Sequence, residues 1–321
     1  MVIDGGWTAM LERHLFHGHM TAGQTGTQGN RGGNMMLANV EGRLTVRIPE
    51  GDVDVEIASG GRFDPDPQAV YERWEEFRAW FERFDRSGGW RATIAPTSDP
   101  GQLGSPVPAP GQVFAIGLNY GDHAAESGLP IPEVPPTFTK FQSALTGPTG
   151  DIELPEGNVD WEVELVVVLG REARKVSADS AWDYVAGLTI GQDLSERTAQ
   201  MTGTLPQFSL AKSHPGFGPM GPVLVTTDEV ADRDDLELGC SLNGDVVQRG
   251  RTRNLVFGIP ELVAQLSATV TLRPGDVIFT GTPGGVGMSL SPQRFLHPGD
   301  ELVTWVEGIG EMRHRFVGTP K

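Results

Sequence analysis

Two glutamates, Glu162 and Glu164, stand at the start of the stretch "DWEVELVVVLG", directly before an apolar run. The run has the composition of a buried strand, and side chains two residues apart in a strand share one face, about 6–7 Å apart. Carboxylates this close raise each other's pKa, and a bound cation removes that cost. The pair therefore indicates a site for a hard cation such as Mg²⁺, with a solvated strand end as the alternative.

A third carboxylate, Asp193, ends the apolar part of "VAGLTIGQDLSERTAQ", and Arg197 and Gln200 follow it. At spacings of four and seven residues, the three side chains could project from one helix face. Asp193 suits a third metal ligand, and Arg197 could hold a substrate carboxylate in a bidentate fork. Taken singly, Asp193 also suits a helix N-cap and Arg197 a surface salt bridge.

The segment "GLNYGDHAAESG" places His123 and Glu126 three residues apart, on one face of a short helical turn. A carboxylate beside an imidazole fixes its tautomer and raises its basicity, which suits a general base. Gly121 and Gly128 flank the turn, so the segment could move as a lid. A surface His-x-x-Glu pair without a function is the alternative.

Two further segments offer groups that could bind an anionic substrate. Lys212, in "FSLAKSHPGFGPMGP", could neutralise an oxyanion, although a loop lysine is commonly only solvated. The segment "TGTPGGVG" matches neither the P-loop nor the dinucleotide fingerprint. Its backbone N–H groups and Thr282 could hold a carboxylate, and an ordinary turn is the alternative.

The composition restricts the function classes. The chain has 321 residues and a formal net charge of −17, which disfavours binding to nucleic acid or to an anionic membrane. Apolar runs are too short to span a bilayer, and the N-terminus does not resemble a signal peptide. The single cysteine, Cys240, excludes an internal disulfide. We expect a cytoplasmic protein.

The elements that must position these residues follow from the hydrophobic pattern. We expect an unstructured segment 1–34, a small N-terminal domain and linker over 35–105, and a main domain over 106–321. "RLTVRI" and "DVDVEIA" alternate like short strands. Val70, Trp74, Phe77, Phe81 and Phe84 form one stripe of a helix that starts near Asp66. Asn-Gly in "LGCSLNGDVVQ" predicts a type I′ hairpin, and "IPELVAQLSATV" predicts a helix.

In order along the chain, seven segments resemble the fumarylacetoacetate hydrolase family: "GLNYGDHAAE", "PPTFTKFQSALTGP", "DWEVELVVVLG", "GQDLSERTAQ", "FSLAKSHPGFGPMGP", "LNGDVVQ" and "LRPGDVIFTGTPGGVG". The resemblance covers roughly residues 110–318. It implies an α+β fold that is mainly β, a mixed β-sandwich roll with a small N-terminal α/β subdomain. It also implies a homodimer.

The resemblance implies a complete site. Glu162, Glu164 and Asp193 would bind Mg²⁺ or Mn²⁺, with Ca²⁺ as a substitute in crystals. His123, Glu126 and Lys212 would be catalytic. The residues on the substrate side would be Arg197, Gln200, Thr282 and Lys140.

For function, the resemblance implies hydrolysis of a carbon–carbon bond in a small 2,4-dioxo acid. The substrate would be an acylpyruvate or a 2,4-dioxo-3-deoxy sugar acid, and the products a 2-oxo acid such as pyruvate and a carboxylic acid. The alternatives are an oxaloacetate decarboxylase, and an isomerase or hydratase of unsaturated 2-oxo acids in aromatic catabolism. A non-catalytic oxo-acid-binding protein is a further alternative, although no ligand or dyad residue is missing.

Overall fold

A computed structural model describes residues 35–318; the segment 1–34, predicted to be unstructured, lies outside the described residues. The α-helices are α1 Val55–Ser59, α2 Trp74–Ser87, α3 Gly121–Glu126, α4 Arg197–Gln200, α5 Phe208–Ala211 and α6 Ile259–Thr269. The 3₁₀ helices are Ala69–Arg73, Gly89–Ala92, Pro100–Gln102, Gln142–Ala144, Ala178–Tyr184, Thr252–Asn254 and Gly287–Ser289. The strands are β1 Met36–Val40, β2 Arg43–Ile48, β3 Gly51–Asp54, β4 Ile94–Ala95, β5 Leu103–Gly104, β6 Val113–Ile116, β7 Thr137–Thr139, β8 Leu145–Thr146, β9 Thr149–Leu154, β10 Val159–Asp160, β11 Val163–Leu169, β12 Val185–Gln192, β13 Ser195–Glu196, β14 Gly218–Thr226, β15 Glu237–Leu242, β16 Asp245–Arg251, β17 Val277–Phe279, β18 Glu301–Val306 and β19 Gly310–Gly318.

The strands form a large mixed sheet, a smaller mixed sheet and a two-stranded ribbon. The 12-stranded sheet runs in the order β4-β3-β2-β1-β14-β12-β11-β17-β6-β7, with β5 on β1 and β8 on β14. The five-stranded sheet has the order β16-β15-β18-β19-β9, and β10 pairs with β13. The N-terminal strands join the large sheet through β1, where Met36 pairs with Val225. The fold is therefore α+β and mainly β, as the resemblance implied.

Apart from Glu164, strand β11 is apolar, and it is buried along its whole length. Val163, Leu165 and Val167 face one core, which also contains residues of the five-stranded sheet. Val166 and Val168 face a second core, which contains residues of β1–β3 and α2. A strand covered on both faces reads as a continuous hydrophobic run. Glu164 shares its parity along the strand with Val166, so it points toward the second core.

The N-terminal region departs from the predicted pattern in two places. Residues 55–59 form α1 instead of continuing a strand, because Asp54 caps the helix by accepting from the Ile57 N–H, and Gly60 ends it in the left-handed conformation. The predicted aromatic stripe is buried at Trp74 and Phe77, but it spans a 3₁₀ turn followed by α2.

The other local predictions are confirmed. β15 and β16 form a hairpin whose turn residues Asn243 and Gly244 both have positive φ, as a type I′ turn requires. Helix α6 covers most of the predicted segment. Within residues 35–318, no helix is both long enough and apolar enough to cross a membrane.

Candidate functional site

The three predicted metal ligands come together at the ends of two neighbouring strands. Glu164 lies in β11, Glu162 just before it, and Asp193 directly after β12. The pairing of β11 with β12 brings them together: Glu164 lies opposite Gly191, and the Asp193 N–H donates to the Glu162 carbonyl at 2.9 Å. All three side chains are buried, and each offers one oxygen in a group within 4.8 Å of one another.

The two glutamates differ in electrostatic environment. Burial raises the pKa of Glu164 well above its usual value, and the neighbouring Asp193 and Glu162 carboxylates add to the rise. Burial alone would also raise the pKa of Glu162, but the charges of Lys212 and Arg197 outweigh it and bring that pKa down to about 2. Three crowded, buried carboxylate oxygens are a donor set that fits a hard divalent cation.

Both predicted lysines contact this acidic group. Lys212 Nζ lies 2.7 Å from Glu162 Oε2 and 2.8 Å from Asp193 Oδ2. Lys140 Nζ lies 2.5 Å from Asp193 Oδ1 and donates to the Lys212 carbonyl. Burial lowers the pKa of Lys140, whereas two carboxylates outweigh burial at Lys212 and raise its pKa. The sequence pattern predicts a loop position for Lys212. In the structure Lys212 is fully buried at the C-terminal end of α5.

Arg197 is held in a buried network of hydrogen bonds. Its Nε donates to Asp160 Oδ2 at 2.9 Å, its Nη2 to Glu162 Oε1 at 2.7 Å, and its Nη1 to Gln200 Oε1 at 2.9 Å. Asp160 also accepts from the backbone N–H groups of Gly287 and Met288. Asp160 is not among the site residues predicted from the sequence. The signal that could have found it is its place in D-x-E-x-E, two and four residues before the glutamates.

The His–Glu pair lies beside the acidic group, and one loop contacts both of them. His123 Nδ1 and Glu126 Oε1 are 2.8 Å apart on α3, as the three-residue spacing predicted. The loop 281–285 contacts both parts of the site, because the Gly281 N–H donates to Glu164 Oε2 and the Gly285 N–H to Glu126 Oε2, at 2.7 and 2.8 Å.

Thr282 lies in this loop and is paired with a side chain from the other sheet. Gln248, in β16, donates from Nε2 to Thr282 Oγ1 and to the Pro283 carbonyl, both at 2.8 Å. Its Oε1 accepts from the Val163 N–H at 2.9 Å, at the start of β11. Sequence reasoning missed Gln248 as a site residue, although its segment was part of the resemblance.

One local alternative is excluded by the structure. The N-cap of α4 is Glu196, whose carboxylate accepts from the Thr198 and Ala199 N–H groups. Asp193 is therefore not the N-cap; it is a strand-end carboxylate paired with Lys140 and Lys212.

Comparison with known proteins agrees with the resemblance. The sequence profile of the family "Fumarylacetoacetate (FAA) hydrolase C-terminal" matches residues 112–317. The human mitochondrial oxaloacetate tautomerase FAHD2A is 40% identical over 258 residues, which is 79% of this chain and 82% of that protein.

Solved structures agree as well. A Mycobacterium smegmatis protein with the provisional name HpcE is 54% identical, with a TM-score of 0.81, over 89% of this chain and 100% of that chain. The maleylpyruvate hydrolase of Sphingobium sp. SYK-6, in complex with manganese(II) and pyruvate, is 30% identical, with a TM-score of 0.72, over the same shares. The chain belongs to the fumarylacetoacetate hydrolase family.

Proposed function

We propose that the protein is a divalent-metal-dependent hydrolase that cleaves the C3–C4 bond of a 2,4-dioxo acid. The substrate is an acylpyruvate or a 2,4-dioxo-3-deoxy sugar acid, and the products are pyruvate or another 2-oxo acid and a carboxylic acid. One observation carries the proposal: the loop 281–285 joins the carboxylate group to a His–Glu dyad, through Glu164 at one end and Glu126 at the other. A base for activating water thus stands beside a site for the oxo acid.

Glu162, Glu164 and Asp193 would hold Mg²⁺ or Mn²⁺, which when bound supplies Lewis-acid polarisation of the oxo acid. The manganese in the related maleylpyruvate hydrolase supports this assignment. Lys140 has a different role from the substrate contact that the resemblance implied. It is 1% exposed and bonded to Asp193 and the Lys212 carbonyl, so it holds a ligand and the catalytic lysine in place.

His123 is the base. Its Nδ1 faces the Glu126 carboxylate, which leaves Nε2 to take a proton from water. The water oxygen then bonds to C4, the C3–C4 bond breaks, and its electron pair at C3 receives the proton back from the imidazolium. Lys212 stabilises the negative charge that develops on the oxygen at C4. Arg197, Gln200 and Thr282 orient the acid.

The test is an assay of the Mg²⁺-loaded protein with acetylpyruvate and with a 2,4-dioxo-3-deoxy sugar acid. We expect the enol absorbance to fall as pyruvate, or the matching 2-oxo acid, is released in equal amount with a carboxylic acid. His123→Gln should lower kcat about 100-fold or more, because a positioned base contributes that much. His297→Gln is the matched control, since its side chain is 68% exposed. Wild-type inertness toward both substrates would refute hydrolysis.

Oxaloacetate tautomerisation is the second candidate, because the human FAHD2A relative carries that activity in its name. In that reaction His123 would move a proton between the enol oxygen and C3, and no carbon–carbon bond would break. Enol-oxaloacetate distinguishes the candidates. Loss of enol absorbance without pyruvate or CO₂ indicates a tautomerase, and release of both indicates the decarboxylase that the family also contains.

A further inference from the structure

Two phenylalanine rings lead from the buried charges of the site to the solvent. The ring centroid of Phe138 lies 5.3 Å from Lys212 Nζ. Phe208 packs against Phe138 with centroids 5.5 Å apart, and it is 38% exposed. The Thr139 N–H donates to Ser209 Oγ at 3.3 Å, which holds α5 against β7 and keeps the two rings together. A substrate tail that leaves the site along this wall meets aromatic surface.

The fixed positive charges in the two chain segments that carry the wall are already neutralised. In the described segments 117–141 and 193–217, only Lys140, Arg197 and Lys212 carry a fixed positive charge. Each is at most 6% exposed, and each is ion-paired with carboxylates of the site. A second carboxylate at the far end of a substrate would find no unpaired lysine or arginine in these two segments. Leaving a charge unpaired against aromatic rings is costly.

We infer that Phe138 and Phe208 form the subsite for the substrate tail beyond C4, and that they select an uncharged, apolar alkyl or aryl tail over one that ends in a carboxylate. This inference rests on the proposed function, because it assumes that a 2-oxo acid binds at Glu162, Glu164 and Asp193. It separates this protein from relatives that act on dicarboxylates, such as the 2-hydroxyhepta-2,4-diene-1,7-dioate isomerase of Mycobacterium marinum.

The first experiment compares a matched pair of substrates, 2,4-dioxooctanoate and 2,4-dioxooctanedioate, which differ only in a terminal methyl or carboxylate. With the Mg²⁺-loaded wild type we expect kcat/KM to be about tenfold or more higher for the neutral tail. Among neutral tails it should rise roughly threefold to fourfold per added methylene, the usual yield of apolar burial. Equal rates, or a preference for the dioate, would overturn the inference.

A binding measurement separates this inference from the proposed function. Calorimetry on the same protein with 2-oxooctanoate and 2-oxooctanedioate reports tail selection without any bond cleavage. Tighter binding of 2-oxooctanoate, by about tenfold, supports the subsite even if neither dioxo acid is cleaved; in that case only hydrolysis fails. Equal binding, binding that favours the dioate, or no binding of either acid overturns the subsite.

Substitution of the exposed ring tests the residue assignment. Phe208→Arg supplies the missing cation, so it should shift the ratio of the two kcat/KM values toward the dioate by about tenfold. Leu210→Arg is the matched control, because Leu210 is 65% exposed on the same short helix. We expect it to leave the ratio unchanged. If both variants shift the ratio equally, the effect comes from overall charge and the assignment to Phe208 fails.

Discussion

At the scale of single residues, the site is a buried cluster of opposite charges that lacks one positive partner. Four carboxylates, Asp160, Glu162, Glu164 and Asp193, face three cations. Glu162, Asp193 and Asp160 each form an ion pair with at least one cation, whereas Glu164 accepts a hydrogen bond from the Gly281 N–H. Its pKa is raised by burial and by the neighbouring carboxylates, so it is the ligand that gains most from a divalent cation. The three cations, which are ion-paired with the other three carboxylates, are Lys140, Arg197 and Lys212.

We predict that Glu164→Ala abolishes both divalent-metal binding and turnover. One of three ligand groups is lost, and even residues that only support metal ligands cost about 10–100-fold in affinity, so a drop beyond 100-fold is expected. Calorimetric titration with Mg²⁺ or Mn²⁺ and the dioxo acid assay measure the two effects. Glu133→Ala, an exposed carboxylate, is the control. Full turnover by metal-free Glu164→Ala protein would refute the metal scheme.

We predict that Asp160 stabilises the folded protein as well as holding the Arg197 side chain in position. Asp160→Asn removes the charge that pairs with the buried Arg197, and breaking one side of a buried ion pair costs about 3–5 kcal/mol. The free energy of unfolding in urea should fall by that order. Asp179→Asn, at an exposed position, should leave it within about 0.5 kcal/mol. If Asp160→Asn has the same free energy of unfolding as the wild type, the ion pair between Asp160 and Arg197 does not stabilise the fold.

At the scale of elements, the site depends on contacts between the two sheets. Strands β11 and β12 place the three carboxylates, but the loop 281–285 that touches both Glu164 and Glu126 is anchored from the other sheet by Gln248. Because Gln248 also accepts from the Val163 N–H, one amide spans the start of β11 and this loop. The five-stranded sheet thus takes part in the site without supplying a predicted ligand.

Gln248→Met should therefore weaken both stability and catalysis. The substitution keeps the approximate side-chain volume but leaves the buried Val163 N–H without its acceptor, a loss of about 1–3 kcal/mol in the free energy of unfolding. We also expect a lower kcat, since Thr282 loses the donor that orients its hydroxyl. Urea unfolding and the dioxo acid assay measure the two effects. Gln265→Met, on the surface of α6, is the control and should change neither quantity.

At the scale of the whole molecule, a buried histidine far along the chain from the site ties stability to pH. His314, in β19, is 1% exposed and has one partner, the Gly147 carbonyl at 3.0 Å from Nε2, while its Nδ1 has none among the described residues. Burial lowers its pKa to about 4. The neutral form is therefore favoured by folding. Its contribution is fully present above pH 6.5, the value of an unfolded histidine, and is lost as the pH falls toward 4.

The expected loss from this one group is about 3 kcal/mol between pH 6.5 and pH 4, from a shift of about 2.5 units at 1.36 kcal/mol each. The free energy of unfolding can be measured by urea denaturation across this range. As the pH is lowered from 6.5 to 4, it should decrease less steeply in His314→Gln than in the wild type. His297→Gln, whose side chain is exposed, should keep the wild-type slope. Identical slopes in all three proteins would show that other groups control acid stability.

The chain by itself determined the parts of the site that follow from local spacing. The alternation of Glu162 and Glu164, the three-residue step from His123 to Glu126 and the Asn-Gly hairpin each depend on backbone geometry over a few residues, and the structure has all three. The same local rules failed at residues 55–59, where "DVDVEIA" alternates like a strand but Asp54 and Gly60 can also cap a helix. Five residues are enough for a short strand or for one helical turn, and the local sequence is compatible with both. Packing against the rest of the fold therefore decides between them.

Only the tertiary structure decided which distant groups share the buried charge. The local sequence of Lys212 is typical of a solvated loop residue. Its two carboxylate partners come from other segments of the chain. Gln248 and the Phe138–Phe208 wall have no local pattern that marks them, because their roles arise where β16 meets the loop 281–285 and where β7 meets α5. Burial strengthens the contacts of Lys212 and Gln248, and burial is a property of the folded chain.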